Sequence, residues 1–239
     1  MPDHRMSLRS VFESQPFLVT ANVLGGIISI VIIGLTADNL AYVHSNRART
    51  GSTMITFNIT SNGAEVAQQS MIDFLPLDLR IGSYWLLLAA GIGGFLDAIL
   101  LGGMLCWRRL KAAQMQAEGA VTTDRNLRPQ TPLSIFIAVV AFLRPLAATI
   151  YSFTDWSRSG TFNPAAHFAL TPGDQYLSDF FTPDAWNCQL EDYINTAGTS
   201  SRLENLCREG TAARTMTLGL TVLSAVVLYG VVWRTYRRH

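Results

Sequence analysis

Residues 82–106 read GSYWLLLAAGIGGFLDAILLGGMLC, a stretch in which Asp97 carries the single charge. A helix that crosses a hydrocarbon core about 30 Å thick needs about 20 mostly apolar residues. The stretch meets that length, and three more apolar runs of similar length lie at 17–36, 133–153 and 216–233. The sequence therefore predicts an all-α membrane protein whose core is a bundle of four transmembrane helices.

The four runs divide the chain into helices and connecting segments. Short inner segments alternate with two longer outer loops, the second of which is the longest connection. The predicted helices are 17–38, 82–106, 132–153 and 215–233, the outer loops are 39–81 and 154–214, and the inner segments are 1–16, 107–131 and 234–239.

The charged residues indicate which side of the membrane each connection faces. Charged residues make up 15% of the chain and the formal net charge is +1, which disfavours nucleic acid as a partner because its binding needs a concentrated basic face. Cytoplasmic loops carry an excess of Lys and Arg. Basic residues cluster in the inner segments, namely Arg5, Arg9, Arg108, Arg109, Lys111, Arg125, Arg128, Arg234, Arg237 and Arg238. We therefore expect both termini to lie in the cytoplasm. The expected membrane is the plasma membrane or a membrane of the secretory pathway.

The first apolar run has a second interpretation, as a cleaved signal peptide preceded by Arg5 and Arg9. The run is longer than the roughly 7–15 apolar residues of a signal peptide. The best cleavage site, near Ala37, has Leu35 at a position that favours a small residue. We expect the first helix to be retained.

The three cysteines fall on the two sides of the predicted membrane. Cys188 and Cys207 lie in the second outer loop, where an oxidising compartment favours a disulfide, with two buried free thiols as the alternative. Cys106 lies at the inner end of the second helix, a position that suits reversible palmitoylation or a plain lipid-facing cysteine.

The first outer loop contains a glycosylation acceptor and a strand pattern. Asn58 begins the sequence Asn-Ile-Thr, which has the form of an N-glycosylation acceptor. Apolar and polar residues alternate over 55–60, as in a strand, and Asn62-Gly63 suits a tight turn. The pattern predicts a small extracellular β-hairpin with a glycan on Asn58.

Small residues recur every fourth position along the second helix. This spacing places them on one face, where a neighbouring helix can approach closely. The residues are Ala90, Gly94, Ala98 and Gly102. Their partner is either another helix of the chain, which we prefer, or a second copy.

Two ionisable residues lie inside the apolar runs, Asp97 on the second helix and Arg144 on the third. Charged residues at this depth usually face the bundle and pair with each other. At about 1.5 Å per residue, both lie at similar depth, so we expect an ion pair between them. Pro145 would also free a backbone carbonyl as a second acceptor for Arg144. The pair is either a clamp that fixes helix packing, which we prefer, or part of an ion path.

Neither catalysis nor cofactor binding is predicted. The four histidines are scattered over termini and loops without a metal-ligand spacing. The chain also lacks a phosphate-binding glycine loop and a nucleophile elbow. We therefore expect no enzyme activity, no metal and no cofactor.

The layout resembles that of the tetraspan group: claudin-like, MARVEL-type and tetraspanin proteins. The shared features are four passes, termini inside, and a long outer loop before the last helix with Trp186-Asn187-Cys188 and Cys207. With Ala212-Ala213-Arg214, the loop also resembles that of uncharacterised fungal four-pass membrane proteins. The first outer loop lacks the cysteines of claudins, and the second lacks the Cys-Cys-Gly of tetraspanins. The resemblance implies membrane organisation or adhesion.

These patterns favour a non-enzymatic protein that organises membrane domains or partner proteins. The expected partners are the lipid bilayer and other membrane proteins or further copies of the chain. The alternative function is a transporter or channel component that uses Asp97 and Arg144.

Overall fold

The computed structural model describes residues 15–47, 52–61, 64–73, 75–76, 79–117, 131–162, 180–191, 193–194 and 197–236 of the chain. Most of these residues are helical. In chain order the elements are α1 (Gln15–Arg47), β1 (Ser52–Ser61), β2 (Ala64–Asp73), α2 (Gly82–Ala117), α3 (Thr131–Ser157), α4 (Pro183–Glu191) and α5 (Ala197–Tyr236).

Four of the helices are long and apolar enough to cross a bilayer. Their apolar spans are Phe17–Arg47, Gly82–Trp107, Pro132–Ser157 and Ser201–Trp233, with mean hydropathies between 1.9 and 2.3. Large apolar side chains are exposed along them, which suits a lipid environment. The prediction of a multi-pass helical membrane protein is confirmed.

The helices extend beyond the predicted transmembrane segments. Helix α1 continues to Arg47, α2 continues to Ala117, and α5 begins at Ala197. Part of each predicted outer loop, 39–81 and 154–214, is therefore helical. Hydropathy marks only the part of a helix that suits hydrocarbon, whereas intrahelical hydrogen bonds continue through polar residues.

The chain divides into two compact units by its contacts. The first, which we call the bundle unit, comprises Met1–Ile33, Ala89–Thr149 and Met216–His239. The second, which we call the hairpin unit, comprises Gly34–Leu88 and Ile150–Thr215.

The two strands of the hairpin unit pair antiparallel, from Ser52 opposite Asp73 to Ser61 opposite Ala64. The predicted turn residues 62–63 lie outside the described residues. An isolated two-stranded hairpin is marginally stable. Here the Thr56 amide donates to the Tyr193 carbonyl at 3.0 Å, and the side chain of Ile55 is fully buried. Strand β1 is thus held by the rest of the hairpin unit.

A core of aromatic and aliphatic side chains lies in the hairpin unit around Trp186, which is fully buried. The rings of Phe162 and Phe181 meet Trp186 edge to face, with centroids 5.2 and 5.1 Å away. Such pairs contribute about 0.5–1.5 kcal/mol each beyond area burial. The core residues are Ile55, Phe162, Phe181, Trp186, Leu190, Ile194 and Leu203.

A disulfide joins helix α4 to helix α5. It connects Cys188 and Cys207, whose Cα atoms lie 4.9 Å apart. The predicted disulfide is confirmed, and the alternative of two free thiols is wrong. The two cysteines are 19 residues apart in the sequence. Closing a loop of this size stabilises the folded state by about 3 kcal/mol in the chain-entropy model.

Candidate functional site

The bundle unit brings together the two charged residues found within the apolar runs. Arg144 Nη1 donates to Asp97 Oδ2 at 2.9 Å. The Asp97 side chain is 11% exposed and that of Arg144 is 32% exposed. Gly93 lies one turn before Asp97 on α2, and a Cβ atom there would overlap the Arg144 guanidinium. The missing side chain at Gly93 lets Arg144 lie against the backbone of α2 while it reaches Asp97.

The second acceptor expected for Arg144 is not used. Pro145 has no amide proton, so the carbonyl of Ala141 one turn earlier receives no helical hydrogen bond. Among the described residues, Arg144 nevertheless donates to Asp97 and to no backbone carbonyl. That expectation was wrong, because the guanidinium extends toward Gly93 and α2 rather than back along its own helix.

The predicted small-residue face of α2 packs against α1 within the chain. A Cβ atom on Gly26 of α1 would lie 3.2 Å from the Ala98 Cβ, and Asn22 Nδ2 donates to the Ala98 carbonyl at 2.7 Å. The same Asn22 nitrogen would lie 3.2 Å from a Cβ atom on Gly102. Ala90 is fully buried, and Gly94 lies against Ser29. The small residues Ala90, Gly94, Ala98 and Gly102 thus allow two helices to approach closely.

A small cavity of about 30 Å³ lies among the four long helices of the bundle unit. Its polar lining comes from Asn22, Asp97 and Ser224, and the rest of the lining is apolar or glycine. Each of these side chains has a hydrogen-bond partner within the protein. Asn22 donates to the Ala98 carbonyl, and Asp97 accepts from Arg144. Ser224 Oγ donates to the Leu220 carbonyl at 2.8 Å. No cluster of three or more His, Cys, Asp or Glu among the described residues could hold a metal ion.

A second ion pair, buried in the hairpin unit, was not predicted from the sequence. Arg214 of α5 pairs with Asp184 of α4, and their side chains are 7% and 4% exposed. The Arg214 Cζ atom lies 4.6 Å from the ring centroid of Trp156, a cation–π geometry. Gly210, one turn before Arg214, packs against the Tyr84 hydroxyl and the Asp184 side chain. The pair ties α4 to α5 near the disulfide.

Asn58 lies in β1 opposite Ala67, and its side chain lies outside the described part of the structure. Cys106 is a free, exposed cysteine on α2. Of the histidines, His44 is exposed on α1 and the other three lie outside the described residues.

A matched pair of glycine substitutions tests the contact at Gly93. Gly93→Ala should move the Arg144 guanidinium away from Asp97 and lower stability by about 1–3 kcal/mol, the usual range for overpacking. Gly103→Ala on the same helix meets no atom within 4 Å and should be neutral or slightly stabilising. Thermal unfolding of both variants in detergent gives the comparison. Equal unfolding temperatures would contradict the described packing of Arg144.

Comparisons of the chain with protein-family models, with curated proteins and with solved structures found no match. The resemblance to the tetraspan group remains a prediction from the layout and the cysteine spacing. A function for this chain therefore has to follow from its own contacts.

Proposed function

We propose that the chain is a non-enzymatic four-pass membrane protein that organises partner proteins or membrane domains through its hairpin unit. One observation carries the proposal. Among the described residues, all buried side-chain polar atoms that lack a hydrogen-bond partner lie in the hairpin unit, and none lies in the bundle unit. A bundle whose fully buried side-chain polar atoms have hydrogen-bond partners within the protein suits a scaffold better than a path for ions.

The contacts of the bundle unit support the clamp interpretation of Asp97 and Arg144. Transport sites usually combine several polar groups with broken helices at mid-membrane. Here all four long helices are continuous through their spans. Thr149 Oγ1 and Thr221 Oγ1 lie 3.1 Å apart and Ser29 Oγ donates to the Gly25 carbonyl, so these hydroxyl groups also bond within the protein.

The hairpin unit is the part of the chain that we propose contacts partner proteins. It has its own aromatic core, a disulfide and a buried ion pair. Because a disulfide persists in oxidising compartments, its presence supports a location of this unit outside the cytoplasm. In the proposed topology both termini are cytoplasmic, the hairpin is extracellular, and the membrane is the plasma membrane or one of the secretory pathway.

The layout and the covalent features agree with this proposal. The resemblance to claudin-like, MARVEL-type and tetraspanin proteins supports a role in organising membranes. Cys106 is exposed on α2, at the end of the Gly82–Trp107 span that is proposed to face the cytoplasm, where palmitoylation would add an acyl anchor. Partners would be other membrane proteins or further copies of the chain, together with the bilayer itself.

Glycosylation of Asn58 follows from the proposed topology, provided that the protein passes through a glycosylating secretory route. Asn58→Gln should remove the mass that an endoglycosidase releases from the wild type. Asn62→Gln is the matched control, because Asn62-Gly63-Ala64 has no acceptor form and the glycan should remain. A wild-type mass that the endoglycosidase leaves unchanged in such a host would contradict the glycan.

Affinity capture in a mild detergent tests the proposed function. We expect a reproducible set of membrane proteins to co-purify with the wild type and with Gly103→Ala, which alters an open position on α2. The double variant Cys188→Ala/Cys207→Ala should lose them, because the disulfide that ties α4 to α5 is removed. Gel filtration checks that this variant still inserts and folds as a membrane protein. An unchanged set of proteins, or none from the wild type, would contradict the proposal.

The cavity of the bundle unit supports a second candidate function, transport through the bundle. Its lining includes Asp97 and comes from all four long helices, as in sites between the helices of bundles. This function predicts an ion flux in reconstituted vesicles that Asp97→Asn abolishes. The organiser function predicts no flux above that of empty vesicles.

A further inference from the structure

Arg144 has hydrogen-bond donors that the described structure does not use. A guanidinium group carries five N–H donors. One N–H on Nη1 is bonded to Asp97, and no other partner of Arg144 is found among the described residues. The side chain is 32% exposed, so part of this group lies at the surface of the bundle unit.

Because of the position of Arg144 along α3, leaving these donors without an acceptor costs free energy in a lipid environment. The residue lies in the middle of the Pro132–Ser157 span, about 18 Å from Pro132 and about 20 Å from Ser157 at 1.5 Å per residue. Hydrocarbon offers no acceptor, and headgroups at either end are beyond the reach of an arginine side chain. An unsatisfied polar group at this depth costs free energy.

The neighbouring positions on α3 suit contact with another helix. Leu143 is 52% exposed, and Phe136, two turns before Arg144, is 66% exposed. Ala147, one turn after Leu143, is also exposed and has a small side chain. A small residue beside a polar one is a common arrangement where membrane helices associate.

The charges of Asp97 and Arg144 determine which kind of hydrogen-bond acceptor a partner could provide. Asp97 already balances the charge of Arg144, so an ionised carboxylate from a partner would leave a net negative charge in the hydrocarbon. An uncharged acceptor, such as the amide oxygen of Gln or Asn, satisfies the free donors without that cost. We propose that the α3 face formed by Phe136, Leu143, Arg144 and Ala147 binds a transmembrane helix of a partner protein that places an uncharged amide at mid-membrane. This inference rests on the proposed organising function and specifies one chemistry of its partners.

Peptide binding in vesicles tests this surface. The full chain is labelled with a fluorescence donor at Cys106 and reconstituted into phosphatidylcholine vesicles at high lipid excess. Acceptor-labelled Leu-Ala transmembrane peptides carry a central Gln or a central Leu. We expect the Gln peptide to bind about fivefold or more tightly than the Leu peptide, the gain typical of one interhelical hydrogen bond in model peptides.

The comparison of peptides on the wild type needs no variant that could fail to fold. Equal binding of the Gln and Leu peptides would overturn the inference. The double variant Asp97→Leu/Arg144→Leu should bind the Gln and Leu peptides equally, and a persisting Gln preference would also overturn it. The peptides have no loops, so their binding is independent of the hairpin unit. A negative result here together with successful capture would leave the proposed function standing.

Discussion

Arg214→Leu is expected to lower the stability of the protein by about 3–5 kcal/mol, the cost typical of breaking a buried ion pair by removing one partner. The substitution leaves the carboxylate of Asp184 without its partner, at a side-chain exposure of 4%. It also removes the cation–π contact with Trp156. Chemical denaturation in detergent, followed by tryptophan fluorescence, measures the change.

An exposed ion pair of the same unit gives the matched control. Arg202 Nη2 lies 2.8 Å from Asp38 Oδ2, but the two side chains are 44% and 43% exposed. Exposed pairs contribute about 0–1 kcal/mol because water screens them. Arg202→Leu should therefore have a small effect. Similar losses for the two variants would show that burial does not set the importance of the Asp184–Arg214 pair.

Asp97→Leu and Arg144→Leu should each reduce folded yield and thermal stability in detergent. Each variant leaves one charge of the pair unbalanced inside the bundle unit, and breaking a partly buried pair in this way costs up to about 3–5 kcal/mol. The double variant Asp97→Leu/Arg144→Leu should recover much of the loss, because replacing both partners by apolar groups leaves no unpaired charge. The clamp interpretation requires this recovery.

The double variant also separates the clamp from an ion path. Equal stability of all the variants, together with a wild-type ion flux that either single substitution abolishes, would make us abandon the organising function. Failure of the double variant to recover, without flux in any variant, would mean that the two charges have different essential partners. The described hydrogen bond between Arg144 and Asp97 would then not account for their role.

The membrane part of the fold could be predicted because hydrocarbon imposes a simple rule on the sequence. Each long helix contains an apolar run, and charges inside such runs are rare enough that Asp97 and Arg144 could be matched by depth. The periodic small residues of α2 likewise indicated a packed face, which the structure places against α1. These inferences needed only spacing along one helix at a time.

The hairpin unit was less predictable because its contacts join distant residues. Asp184 and Arg214 are two among many charges in the predicted second outer loop, and spacing gave no reason to pair them. The signals that were present were the Trp186-Asn187-Cys188 element and an arginine just before the last apolar run. The start of α5 at Ala197 was missed because the polar residues before that run carry no hydropathy signal.

The proposed function depends on a hairpin unit that faces away from the cytoplasm, and the free thiol of Cys106 tests this topology. Sealed cells are treated with hydroxylamine, which removes thioester-linked acyl groups, and then with a membrane-impermeant maleimide. A Thr161→Cys/Cys106→Ala variant, whose new thiol lies at an exposed position of the hairpin unit, serves as the control. We predict that intact cells label this control but not the wild type, and that Cys106 reacts only after the membrane is opened. Labelling of Cys106 in sealed cells, without labelling of the control, would contradict the topology.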